Sequence, residues 1–234
     1  MDGSTSVAEL LNIEFYSTMF GLQNLWYTET VRNLWIISGV MIFVAVLIRM
    51  NMKKWNPDRP TGTQNAVEAV IEMFHGYVVS VMDEKYAYYG NWYFTVFFLI
   101  LFSNLSALVF LRNPTADVTV TFAFAFTTVL LIHVSGIIKS KINYFKGFIE
   151  PHPVLLPLNL LGEIAPAISL GMRLFGVVVA GLTVSTLLYN TAPWPALIGF
   201  PAIIHGYFDV FGGVLHAFIF LTLSMVFIRS KLPD

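Results

Sequence analysis

Between residues 154 and 228 the sequence carries three charged side chains in an otherwise uncharged apolar tract: Glu163, Arg173 and Asp209. An arginine in a membrane helix costs about 2.5–3.5 kcal/mol on insertion scales, so it is kept beside a partner or a water-filled path. Arg173 is therefore the first candidate for handling ions, with a structural ion pair to Glu163 or Asp209 as the plain alternative. Glu163 lies ten residues earlier, and ten steps of about 100° leave the two side chains roughly 80° apart around a helix, off a shared face. Further along, His205, Asp209, Gly212, Gly213 and His216 fall within roughly 100° of one another under the same rotation. They form one stripe of small and polar residues, able to admit a neighbouring helix at the glycines and to offer protonatable groups to a watery path. Two imidazoles and a carboxylate on one face also match metal-ligand chemistry, and packing histidines are the third reading. His133 stands alone on an apolar span and reads as a packing residue. Asn104 reads either as part of the path or as an amide hydrogen-bonding between helices. Nucleophile–base pairs, phosphate-binding glycine loops and paired catalytic carboxylates are absent.

The elements that must hold these residues follow from composition. Of 234 residues, 56% are hydrophobic and 12% charged, against about a quarter charged in soluble domains. An ordinary water-soluble globule is excluded, and a net charge of −1 offers no basic field for nucleic acid. Zero cysteines exclude disulfides, thiol catalysis and thiolate metal sites. Uncharged runs predict spans at 33–48, 86–111 and 118–138, the first lengthened by snorkelling of Arg32 and Arg49. The tract from 154 breaks at Asn190-Thr191-Ala192-Pro193-Trp194-Pro195, where prolines remove backbone donors, leaving helices at 154–189 and 196–228. At about 1.5 Å per residue the first is roughly 54 Å long against a hydrocarbon core of about 30 Å. Both must break, the first near Pro166, or lie as a steeply tilted hairpin.

Residues 61–82 place Ala66, Val67, Val70, Ile71, Phe74, Tyr77 and Val78 on one helical face and Glu68, Glu72 and His75 on the other. Such a helix is expected along the cytoplasmic interface. Residues 1–32 form an expected outer N-terminal segment, without the basic start of a cleaved signal peptide. Arg49, Lys53, Lys54 and Arg59 follow the first span, Lys139, Lys141 and Lys146 the third, and Arg229 and Lys231 the last. The positive-inside rule then puts the N-terminus outside and the C-terminus in the cytoplasm. The expected fold is one all-α membrane domain over 1–234, with five membrane-inserted helices plus one interfacial amphipathic helix. A standalone transporter or channel would need a substrate site between helices and commonly an internal repeat, and neither is visible.

The run Ser169-Leu170-Gly171-Met172-Arg173-Leu174-Phe175-Gly176 resembles subunit a of F-type ATP synthases. The resemblance extends through Pro60-Thr61-Gly62-Thr63-Gln64-Asn65, Phe102-Ser103-Asn104-Leu105, Pro114-Thr115-Ala116-Asp117-Val118, Pro157-Leu158-Asn159-Leu160, Glu163-Ile164-Ala165 and Leu215-His216-Ala217-Phe218-Ile219-Phe220. It implies an ion-translocating stator in a bacterial plasma membrane, performing no bond chemistry and using no cofactor or metal. The implied partners are the c-ring of the rotor, the peripheral-stalk b subunit, the remaining ATP synthase subunits and the lipid bilayer. Arg173 is then the essential stator arginine, facing rotor carboxylates and separating two offset half-channels. By the same resemblance Asp209 is the main relay of the outer path, His216 packs opposite Arg173, Glu163 belongs to the inner path, and His205 and Asn104 line the route. The chain departs from the family at Val177 and Leu182, where members commonly carry Asn and Glu, at Asp209 and His216, where other polar residues are usual, and at Ala107, where some carry an acid.

Overall fold

The structure is a computed structural model that describes residues 28–52, 55, 62–109, 111–141, 144, 154, 156–191 and 200–233. Among these, every regular element is helical: α1 (Glu29–Met52), α2 (Gly62–Met82), a 3-10 turn (Glu84–Tyr89), α3 (Gly90–Leu105), two more 3-10 turns (Ser106–Val109 and Pro114–Ala116), α4 (Val118–Ser140), α5 (Leu156–Thr191), α6 (Phe200–His205), a π-helical segment (Gly206–Gly212) and α7 (Gly213–Lys231). Among the described residues, five helical stretches are long and apolar enough to cross a membrane: Glu29–Met52, Glu84–Val109, Val118–Lys139, Leu156–Thr191 and Ile203–Lys231. The protein is an all-α membrane protein. Its exposed side chains agree with that, since Trp35, Ile42 and Phe43 on α1 are each more than 60% exposed, an arrangement that lipid accepts and water does not.

α7 is the central post. Its lower half, through Leu221, Met225 and Ile228, joins Val78 and Met82 of α2, Tyr86, Tyr93 of α3 and Ile132 of α4 in one buried cluster. Its upper half, through Ala217 and Phe220, meets Ile100 of α3, Ala125 of α4, and Leu170 and Leu174 of α5 in a second. α3 and α7 approach closely at Gly213, where a Cβ would lie 2.9 Å from Cβ of Asn104. α2 packs Phe74, Tyr77 and Val78 inward while Val70 and Ile71 of the same apolar face stay exposed. Tyr77 Oη and Thr222 Oγ1 hydrogen-bond at 2.6 Å, tying α2 to α7.

Local chemistry sets the boundaries near the site. Asn113 caps the turn at Pro114, its carboxamide oxygen accepting from Thr115 N at 2.9 Å, and Asp117 caps α4 by accepting from Thr119 N at 3.0 Å. α4 ends at Lys141, whose φ of 49° turns the chain out of the helix. α5 runs unbroken through Pro166, so of the two expected alternatives, a break near the proline or a steep tilt, the break does not occur. Proline still removes one helical donor, which leaves the carbonyl of Gly162, four residues earlier, without its helical partner. Of the break predicted at Asn190-Thr191-Ala192-Pro193-Trp194-Pro195, Asn190 and Thr191 still belong to α5, and 192–195 fall outside the described residues.

Candidate ion-translocation site

Arg173 lies half-buried on α5. Its Nη2 donates to Ser169 Oγ at 3.5 Å, one helical turn back, and its Nη1 is buried with no hydrogen-bond partner. Among the described residues it forms no ion pair. The two acids that could neutralise it are committed elsewhere: Glu163 to Lys231 and Asp209 to His205. A guanidinium keeps its charge in any such setting, so this cation has a buried donor without a hydrogen-bond partner among the described residues.

One polar cluster is built across α5, α6 and the π-helical segment. His205 Nδ1 lies 2.6 Å from Asp209 Oδ2, and its Nε2 lies 2.8 Å from Tyr189 Oη near the end of α5. Because the carboxylate accepts, the neutral imidazole carries its proton on Nδ1 and accepts the tyrosine proton at Nε2. A continuous donor–acceptor chain therefore runs Tyr189, His205, Asp209. Beyond it, a cavity of about 10 Å³, near the room one water needs, is lined by Asp209, Asn104, Asn113, Val177, Gly181 and Gly213, among others. Asn104 Nδ2 donates to the Gly213 carbonyl at 3.1 Å, and Thr115 Oγ1 lies 2.6 Å from both Asn104 Oδ1 and Asn113 Oδ1. The hydroxyl proton serves one of them at a time.

The uniform rotation predicted for 205–216 does not hold. Residues Gly206–Gly212 are π-helical, so their hydrogen bonds run i to i+5 and the 100° step fails there, as at many functional sites. His205 and Asp209 stay together, but His216 turns back on its own helix, its Nδ1 donating to the Gly212 carbonyl at 2.9 Å. The metal reading loses its third ligand, and among the described residues no three His, Cys, Asp or Glu side chains converge.

A second polar cluster sits where α4 and α7 end and α5 begins. Lys231 Nζ pairs with Glu163 Oε1. Both line a cavity of about 210 Å³ together with His133, Gly162, Pro166 and Ser230. His133, read from sequence as a packing residue, instead faces this cavity, with its Nδ1 2.5 Å from Tyr144 Oη. Burial pushes the Tyr144 phenol up to about 12, with the Glu163 carboxylate adding to the effect. The phenol is therefore neutral near pH 7 and donates to the imidazole. Along α5, Glu163 precedes Arg173 by about 15 Å of helix and Gly181 follows it by about 12 Å. The arginine stands between two polar clusters at opposite ends of the bundle.

Sequence patterns did not reveal Tyr189, Tyr144 or Lys231. Each meets its partner across a turn or between helices, at 16, 11 and 68 residues' separation, and no periodicity reports that.

The family model described as ATP synthase A chain matches residues 32–229. The chain belongs to the ATP synthase A chain family. An A chain is the ion-translocating component of the membrane sector, and it works within the ATP synthase complex. Similar curated A chains include ATP synthase subunit a of Staphylococcus carnosus (strain TM300), 33% identical and covering 92% of this chain and 95% of the relative. The sodium ion specific ATP synthase subunit a of Propionigenium modestum is 32% identical, covering 88% and 75%. A Staphylococcus aureus (strain JH9) A chain is 31% identical, covering 92% and 95%.

Proposed function

We propose that this chain is the stator of a rotary ATP synthase, giving the c-ring carboxylates two offset half-channels separated by Arg173. The observation that supports this most is the arginine's position: half-buried in α5, with a buried donor lacking a partner among the described residues, between clusters whose acids are already bonded to other cations or donors. A rotor carboxylate arriving there meets an opposite charge that favours its ionised form, and entering lipid favours its neutral form. Rotation then follows uptake on one side and release on the other, and the fixed charge blocks a direct leak. The outer path runs through Tyr189, His205 and Asp209 to the cavity beside Asn104, with Val177 leaving its polar lining to Asn104 and Asn113. The inner path runs through Glu163. In this reading His216 packs opposite Arg173.

The N-terminus is outside and the C-terminus cytoplasmic, in a bacterial plasma membrane. α2 lies along the inner interface. With no break at Pro166, the length of α5 is taken up by tilt against the rotor. The peripheral-stalk b subunit completes the stator. The chain makes and breaks no covalent bonds; its work is electrostatic.

The test is ATP-driven acidification of inverted vesicles carrying the assembled complex, with Arg173→Ala and assembly followed on native gels. Pumping should fall below a tenth of wild type while assembly persists. Pumping that survives in Arg173→Ala overturns the stator reading. The same assay at low and high sodium identifies the coupling ion, the question raised by the name of the Propionigenium relative.

A further inference from the structure

The cavity where α4 and α7 end holds a titratable ring that the path through Glu163 leaves unused. Its volume of about 210 Å³ has room for several waters. Three side chains able to carry charge line it from three helices: His133 of α4, Glu163 of α5 and Lys231 of α7. Glu163 and Lys231 pair with each other. Among the described residues His133 enters no ion pair, and its Nδ1 lies 2.5 Å from the Tyr144 hydroxyl. With the phenol donating, the neutral ring carries its proton on Nε2, the nitrogen left for cavity water. A hydroxyl can also turn and accept. Tyr144 therefore suits the imidazolium too, accepting from Nδ1–H once the ring holds a second proton. His133 stands seven residues, about 10 Å of helix, inside the end of α4 at Ser140. An imidazole at that depth in an apolar span is costly unless water or a partner reaches it, and the cavity and the phenol supply both. Unperturbed, histidine alone among side chains changes charge between about pH 5 and 8.

We propose that His133 is a proton-exchanging residue of the inner path. The ring takes a proton from water that reaches the cavity and gives one back to water beside Glu163, so protons balance at each cycle, while Tyr144 alternates between donor and acceptor. Where protons in the inner solution are scarce, this ring shortens the wait of a rotor carboxylate for its proton. The inference rests on the stator reading and adds to Glu163 a second group in the inner path. Among the described residues, the titratable and charged groups that touch the ring or share its cavity are Tyr144 beyond α4, Glu163 from α5 and Lys231 from α7. A substitution at 133 leaves all three in place.

A pH profile separates this role from packing. In inverted vesicles carrying the assembled complex the inner face meets the bath, and ATP-driven acidification draws protons through the inner path. His133→Asn puts a carboxamide oxygen near the position of Nδ1, where it accepts from Tyr144 but carries no proton. His133→Gln serves as the second variant if the shorter amide does not assemble, with assembly followed on native gels. Relative to wild type, initial pumping in His133→Asn should stay within about twofold near pH 6 and be about three- to tenfold slower near pH 8, where free protons are about a hundredfold fewer. A ratio of variant to wild type that is the same at both pH values overturns the proposal, whether the variant is uniformly slow, as for a packing residue, or uniformly active. A complex that pumps sodium in place of protons overturns it as well. The stator reading fails separately, through pumping that survives in Arg173→Ala, whichever way the His133 variants behave.

Discussion

Tyr189 is the residue whose role depends most on a single hydrogen bond. Its hydroxyl, 2.8 Å from His205 Nε2, is the outermost link of the chain to Asp209, and Tyr189→Phe removes that link while keeping the ring. A net hydrogen bond is worth about 0.5–1.5 kcal/mol, so ATP-driven pumping in Tyr189→Phe vesicles should slow about two- to tenfold with assembly intact. Unchanged pumping would remove Tyr189 from the outer path. His133 makes the complementary point about reading residues one at a time. On its own span it is one imidazole among apolar neighbours, yet the turn after Lys141 brings Tyr144 onto it. Gly136 makes room for the approach, since a Cβ there would lie 2.5 Å from the Tyr144 ring.

At the scale of elements, the contact between α3 and α7 sets the cavity beside Asp209. Gly213 has room for a hydrogen and no more, with Asn104 against it, and the same asparagine donates to the Gly213 carbonyl. Gly213→Ala should push the helices apart and cost about 1–3 kcal/mol, the usual penalty of overpacking. Gly39→Ala on α1, where a Cβ meets nothing within 4 Å, should cost none and gain up to about 1 kcal/mol of helix propensity. Thermal unfolding of the two variants in detergent checks the contrast, and equal midpoints would contradict it. The π-helical segment Gly206–Gly212 belongs to this scale as well. It separates His216 from the His205–Asp209 pair that a regular helix would align with it.

For the whole molecule, the arrangement is two polar clusters at opposite ends of a helical bundle with a fixed cation on α5 between them. Topology decides which cluster opens to which side. The lack of native cysteines makes this measurable in intact cells and inverted vesicles with single thiols at exposed positions. A cysteine at Lys141 should react with a membrane-impermeant maleimide only in inverted vesicles, and one at Val118 only in intact cells. The opposite pattern would invert the orientation and exchange the inner and outer paths.

The sequence alone determined the class of the protein and singled out Arg173, the residue proposed here to handle ions. Low charge and long apolar runs leave a chain no stable home but a bilayer, and an arginine in such a run is too costly to stand without purpose. Asp209 and His205 were legible for a local reason: they are four residues apart and meet within one turn of helix. Only the tertiary structure decided the rest. That Arg173 has no acidic partner among the described residues depends on where Glu163 and Asp209 spend their hydrogen bonds, and Glu163 does so with Lys231, 68 residues away. The departure from regular helix at Gly206–Gly212 depends on how that segment packs, which a fixed rotation per residue does not anticipate. Periodicity reports what one helix presents to its surroundings; which helix supplies those surroundings is settled by packing.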